Sequence, residues 1–312
     1  MVKFVATTIS GQEHELRHIV QFKLCSNIVV PADSLVLNAI TDDCLFEFAF
    51  IKMYIDEGLF FDGVVDEQVT RQRTTRFELR IAARSRVAIL LDNQARPGIY
   101  KNISLGEIFE RHVKCYGFSE MKADSNPRLE ELLIKMGSSE WHVLDLFCKR
   151  TIGIKPKIGV NGILNLKKEW RGKSLLFKNS GGGQIYAEMI VVNRRYGIVS
   201  SVHYKGTDHK YSMCVTNPRA MGHGIVMKRY LEIPREFSGD GLRYVQEYLK
   251  GKNVKCGTVN ILVPGVIDVC VGDRVTLESA RVNFEGLVVS GVEHEMNSSK
   301  MVTRVETFKE RG

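Results

Sequence analysis

The chain has 312 residues, enough to bury a substantial core and to divide into two or three domains, so a single small module is excluded. Its composition, 44% hydrophobic and 26% charged, is that of an ordinary globular protein, and no apolar run approaches the roughly 20 residues of a spanning helix, which excludes membrane insertion as a resting state. The formal charge of +8 invites a nucleic-acid reading, but the lysines and arginines read as thinly spread, with acids between them.

From Met1 to Ala6 the chain lacks the apolar segment of a signal peptide, and is expected to fold in the cytosol that made it, with later export in a particle left open. Phe46, Phe48 and Phe50 alternate with Glu47 and Ala49, and the turn Asp56-Glu57-Gly58 leads into Leu59 to Val65, which predicts a hairpin with one buried face. Thr75, Phe77, Leu79 and Ile81 alternate with Arg76, Glu78 and Arg80, the period of a strand packed on one side only. Arg86 to Asp92 reads as helix, and Pro97-Gly98 punctuates the chain after this strand-rich block.

Residues 96–178 contain the clearest helices. Ser104 and Glu107 have capping-box spacing, Leu105, Ile108, Phe109, Val113 and Tyr116 follow helical period, and Gly117 sits where a terminating cap belongs. A second helix starts at Ser138 or Ser139, carries Trp141, Leu144, Phe147 and Cys148 on one stripe and stops at Gly153. Asn161-Gly162 between apolar flanks predicts a hairpin. After Ser180-Gly181-Gly182-Gly183 the chain returns to strands, Ile185 to Val192 and Gly197 to Tyr204. A helix bearing Leu242, Val245, Tyr248 and Leu249 follows, then an antiparallel meander from Gly272 to Phe308. The order is β-rich (1–95), helical connector (96–178), β-rich (179–312), with no sequence repeat between the two β blocks.

No constellation of catalytic residues competes with this architecture. The glycine run lacks the Lys-Ser/Thr of a phosphate loop and reads as a flexible linker. His203, His209, His223 and Cys214 match no metal-ligand spacing, and His294-Glu295 is not followed by a second histidine four residues on. Asp62, Asp66 and Glu67 offer paired carboxylates for acid–base work, against the commoner reading of solvated acids at a hairpin end. Cys148 reads as packing, not as a nucleophile. The seven cysteines, at 25, 44, 115, 148, 214, 256 and 270, are odd in number and never spaced as C-x-x-C, which reads as free thiols. Tyr196, Tyr204, Tyr211 and Tyr230 are expected at the surface, as base- or sugar-stacking groups, strand residues or interface anchors.

Five segments, in order, resemble the phage tail baseplate hub proteins of the late control protein D family, in its Gram-positive prophage and phage-tail-like bacteriocin branch. They are Phe61-Asp62-Gly63-Val64-Val65-Asp66; Ala83-Arg84-Ser85 running into Leu90-Leu91-Asp92-Asn93; Ile103 to Phe118, ending Tyr116-Gly117-Phe118; Gly137 to Gly153 with Trp141 and Leu144; and Gly272-Asp273-Arg274-Val275 with Gly286-Leu287-Val288-Val289 and His294.

The resemblance implies an α+β, mainly β fold in which two tube-like β-barrel domains flank a helix-containing α/β connector. It further implies a homotrimeric, pseudo-sixfold ring adapting a sixfold tail tube to a threefold central spike, with wedge proteins around it. No catalytic, cofactor or metal residues follow from it, nor membrane insertion, nor sequence-specific nucleic-acid binding. Its implied location is the bacterial cytoplasm during assembly and then the baseplate of a phage tail or bacteriocin. A cell-wall hydrolase of a tail tip, using the acids near Asp62 and Asp66, is the alternative from another class. Nucleic-acid binding through the net charge is a third reading.

Overall fold

Period-two alternation organises the first block. The computed structural model describes all residues except 42–45, 74–75, 168–171, 180, 207–208, 238, 255–256 and 310–312; the expectations for Cys44, Thr75, Ser180 and Cys256 lie outside the described residues. Seven antiparallel strands, β1 (Val2–Thr8), β2 (Glu13–Leu16), β3 (His18–Asn27), β4 (Ser34–Thr41), β5 (Phe48–Ile55), β6 (Gly58–Arg73) and β7 (Arg76–Ser85), lie in the order β3-β4-β7-β6-β5-β1-β2. Phe4, Leu24, Leu37, Ile51, Phe61 and Ile81 fill one face of this curled sheet with almost no exposure.

The predicted hairpin at Asp56-Glu57 is the β5–β6 turn. Ile55 pairs with Gly58, and the two residues between them take φ of 46° and 70°, the left-handed geometry that suits the right-handed twist of the flanking strands. Glycine is indispensable six residues later: a Cβ on Gly63 would lie 2.5 Å from both the Arg84 carbonyl oxygen and the Phe61 ring. A β-bulge at Asp66 follows, where Val65 pairs with Ala83 and Glu67 with Ala82.

A short helix, α1 (Ala88–Asp92), leads into the connector, built from β8 (Gly98–Ser104), α2 (Leu105–His112), β9 (Glu120–Ala123), β10 (Arg128–Ile134), α3 (Glu140–Thr151), β11 (Lys157–Ile158) and β12 (Ile163–Leu166). The capping box of α2 forms as its spacing predicts. Ser104 Oγ accepts from Glu107 N at 3.3 Å, and Glu107 Oε2 accepts from Ser104 N at 2.9 Å, an arrangement worth about 1 kcal/mol. Ser139 caps α3, accepting from His142 N at 3.1 Å. The Asn161-Gly162 hairpin joins β11 to β12, which also pairs in parallel with β9. Ile108, Phe109, Leu132, Leu144, Phe147 and Cys148 form the connector core.

The last block comprises β13 (Ser174–Lys178), β14 (Glu188–Asn193), β15 (Ser201–Tyr204), β16 (Met213–Thr216), α4 (Pro218–Gly222), β17 (Lys228–Leu231), α5 (Gly241–Val254), β18 (Gly257–Pro264), β19 (Arg274–Glu278), β20 (Asn283–Met296) and β21 (Met301–Lys309). The expected meander is β19–β20–β21, extended through β18 to β14, with β13 parallel to β19. The glycine run is a turn within this block: Gln184 N donates to Leu176 O at 2.7 Å and Gln184 O accepts from Lys178 N at 3.1 Å. Residues 194–254 leave the β14–β18 hairpin, whose ends meet at Asn193 and Gly257, and build a separate sheet, β16-β15-β17, backed by α5.

The fold is α+β and mainly β, as expected, and its two β blocks are the curled halves of one thirteen-stranded sheet. The join is β3 against β20, from Phe22 opposite Met296 to Asn27 opposite Gly291. Strand β20 serves two partners on one side. Up to Val288 it pairs with β19, its register shifts between Val289 and Gly291, and from Gly291 it pairs with β3.

Two substitutions of opposite sign test the β5–β6 geometry by urea denaturation. Glu57→Gly, which relieves left-handed backbone strain, raises stability by about 1 kcal/mol. Gly63→Ala, which forces Phe61 or the Arg84 backbone to move, lowers it by about 1–3 kcal/mol.

Candidate assembly surfaces

The large sheet stays open, and its outer strands differ in chemistry. Strand β2 is short and charged, with Glu15 paired to Lys3 at 2.9 Å and Glu13 to Lys52 at 3.8 Å, a polar edge that discourages pairing. Strand β14 carries no lysine or proline. Among the described residues it has a strand neighbour on one side only, and it exposes Ile190 (46%) and Val191 (44%) on opposite faces. A row of unpaired backbone groups flanked by apolar side chains is a template for another strand.

The acids singled out by sequence are held by arginines. Asp66, projecting from the bulge, receives both Nε and Nη2 of Arg84, at 2.7 and 2.9 Å, and Arg84 also clasps Asp92 at 2.6 and 3.1 Å. These hydrogen bonds pull the Asp92 carboxyl below its ordinary range and push the guanidinium up. Asp62 pairs with Arg86 at 2.7 Å, and Glu67 with Arg80 at 2.5 Å. Each carboxylate therefore has a structural partner. Of the histidines and thiol between residues 203 and 223, the structure brings together His203 and Cys214, with Nε2 and Sγ 3.8 Å apart across β15–β16; His223 instead caps α4, and its carbonyl accepts from Arg195. Among the described residues no group of three or more His, Cys, Asp or Glu side chains is placed to hold a metal ion. Cys148 is buried and Cys25 half-buried, whereas Cys115, Cys214 and Cys270 reach the surface, all as free thiols.

Sequence reasoning missed two buried polar clusters. In the connector, His112 Nδ1 lies 2.5 Å from Glu140 Oε2, and the Tyr116 hydroxyl donates to Glu140 Oε1 at 2.9 Å. His112 ends α2 and Glu140 begins α3, so each suits its helix dipole while the pair clasps the two helices. Burial, then the bond to Glu140, pushes the Tyr116 phenol up to about 12. At the seam, His294 is 1% exposed. Its Nδ1 lies 3.0 Å from Thr303 Oγ1, and Thr303 spends its own proton on Gly265 O at 2.9 Å, so the imidazole must be the donor. Phe60 stands edge-on to the ring, at 5.1 Å. The outer face of the same seam carries Lys23 against Glu293 at 2.8 Å, and Arg304 against Glu293 and Glu295 at 2.5 Å each.

A cleft of about 880 Å³ opens where the first block, the connector and the last block meet, and Arg86, Lys149, Lys155, Lys157 and Arg274 give its lining a basic character. Lys157 donates to the Val271 carbonyl, and burial lowers its pKa; burial raises that of Asp33 on the opposite wall.

Charge is segregated by structural unit, which corrects the impression of an even spread. The segments that build the large sheet (1–95, 174–193 and 255–312) hold eighteen lysines and arginines against twenty-two acids. The connector (96–173) holds fifteen against nine, and the insert (194–254) eleven against five. Tertiary structure collects the basic residues off the sheet because the extra units interrupt the sheet-forming segments. A second correction concerns Tyr204, which is buried under α5, while Tyr196, Tyr211 and Tyr230 are exposed as expected.

No protein-family model matches the chain, and the search among curated proteins returned no match. Solved structures do match over nearly the whole length. A tail protein from Neisseria meningitidis superposes with a TM-score of 0.77 at 15% identity, covering 98% of this chain and 96% of that one. The 43 kDa tail protein of prophage MuSo2 from Shewanella oneidensis gives 0.79 at 12% identity, covering 99% and 98%. The prophage tail protein gp18 from Listeria monocytogenes gives 0.65 at 14%, covering 100% and 96%. The chain thus has the fold of these tail proteins.

Burial pushes the His294 imidazole from 6.5 down to about 4, so the folded state resists a proton that the unfolded chain accepts. Stability is full above pH 6.5 and falls between pH 6.5 and 4, by on the order of 3 kcal/mol from this group. Urea titrations across that range are expected to show the loss in the native protein and a clearly flatter profile in His294→Gln, which keeps a donor for Thr303.

Proposed function

We propose that this chain is the structural baseplate hub of a contractile phage tail or phage-tail-like bacteriocin. Three copies form a pseudo-sixfold ring that adapts a sixfold tube to a threefold spike. The observation that carries the reading is the full-length match to tail proteins by a chain whose large sheet has two curled halves and an unguarded edge strand. Three chains supply six such halves. The β14 edge of each offers backbone groups to its neighbour, a heterologous contact that closes into a ring.

The expected division, 1–95 and 179–312 as two tube-like β units with 96–178 as the connector, underlies this reading, with β13 paired into the large sheet and residues 194–254 set apart as an insert. The tube protein binds above, the spike below and wedge proteins around the hub, which assembles in the bacterial cytoplasm and ends in the baseplate. The same ring suits a tail that passes DNA and a bacteriocin that passes ions. A net acidic sheet favours either, because it gives an anionic polymer little to adhere to. The arginine partners of Asp62, Asp66 and Glu67 favour structure over acid–base work at those carboxylates.

Light scattering of the purified chain, alone and with the spike protein encoded beside it, tests the hub reading. A trimer or a 3:3 complex is expected, and Val191→Pro, which removes an edge donor, should abolish it while leaving the monomer folded. A native chain that stays monomeric with its spike partner present would overturn the proposal.

A further inference from the structure

Residues 194–254 form a unit with one covered and one bare sheet face. Val202, Tyr204, Val215 and Leu231 point towards α5 and pack against Val245 and Leu249. The alternate residues face away. Strand register sets Cys214, His203 and Tyr230 in one row and Thr216, Ser201 and Lys228 in the next. Tyr230 is 61% exposed, and Cys214, Thr216 and Lys228 are exposed with it. An uncovered sheet face bearing aromatic side chains is expensive in water unless something docks on it.

We propose that this face is a docking surface for an acidic protein segment, supplied by a partner rather than by the fold of the chain itself. Two observations define the occupant. The insert is itself basic, with eleven lysines and arginines against five acids, and the Lys228 ammonium on the bare face meets no carboxylate among the described residues. The partner is therefore anionic.

The aromatic side chains then distinguish protein from nucleic acid. His203 stacks on Tyr230 at 5.2 Å with 26° between planes, Tyr211 meets Tyr230 at 85°, and Lys205 Nζ lies 5.4 Å above the Tyr211 ring. One face of Tyr230 is thus occupied by His203 and one face of Tyr211 by Lys205, so neither ring offers the two free faces of an open stacking platform. The two tyrosines are held by each other, by His203 and by Lys205 as a pre-ordered cluster, the form in which tyrosine anchors protein interfaces. Acidic side chains reach Lys228, and the apolar parts of the segment rest on the Tyr230 edge.

The inference concerns the insert alone and stands whether or not the ring forms. Cys214 reports on it, because its exposed thiol lies in the row with His203 and Tyr230, while Cys115, exposed on the connector, is an internal control. In the full-length protein at low salt, poly-L-glutamate is expected to slow alkylation of Cys214 several-fold and to leave Cys115 unchanged, read residue by residue by mass spectrometry. Lys228→Glu should remove the protection and Tyr230→Ala should weaken it. Both residues are exposed, so the fold tolerates the changes, and an unchanged near-ultraviolet spectrum checks this. No protection in the native protein would overturn the proposal, as would protection that survives Lys228→Glu, or equal protection of both thiols. Stronger protection by an oligothymidylate of matched charge would overturn it in favour of single-stranded nucleic acid.

Discussion

The pairing of β3 with β20 is the constraint on which the molecule depends. It brings together strands separated by most of the chain, so its loop-closure entropy must be overcome before either strand gains its full set of neighbours. The seam is strengthened on both faces. Inside, Val292 and His294 lie within the core region that joins the two halves, and outside, Lys23, Glu293, Arg304 and Glu295 form a row of alternating charge across three strands. Because side chains alternate strictly along a strand, a slip of one residue would bury that charged row and expose the apolar one, which fixes the register. The bulge at Ser290 lets one strand leave β19 and take up β3, and it is where the curl of one half passes into the other.

Everything else is hung on this sheet without interrupting it. The connector enters between the two blocks and the insert leaves through a single hairpin, and the two meet where Phe237, Ile233 and Tyr244 of the insert pack into the connector core. Sheet register and surface chemistry are thereby decoupled. The sheet segments carry a slight acidic excess, while the appended units carry the basic residues and the bare aromatic face. Attachment chemistry on the appended units can vary without disturbing the strands that define the fold.

Several acids and histidines of this molecule are held by structural partners. Asp66 is locked by the Arg84 fork, Asp62 by Arg86, and the His112–Glu140–Tyr116 cluster ties α2 to α3. Both buried imidazoles are half-satisfied, since Nε2 of His112 and of His294 has no partner among the described residues, and at His294 burial makes the core sensitive to protons.

The sequence by itself determined what is local. The capping box at Ser104, the cap at Ser139, the Asp56-Glu57 and Asn161-Gly162 turns and the alternation through Leu79 and Ile81 all depend on neighbours a few residues away, and all form where their spacing places them. The motif glycine at 63 was also visible, although its reason, the approach of Phe61 and the Arg84 backbone, was not. Only tertiary structure decided that the two β blocks share one sheet, that Tyr204 is buried while Tyr230 is bare, and that an apparently even distribution of charge separates into an acidic sheet and basic appendages. Periodicity records which face of a strand is apolar but not which strand lies beside it, and partner choice between distant segments rests on contacts that no local pattern encodes.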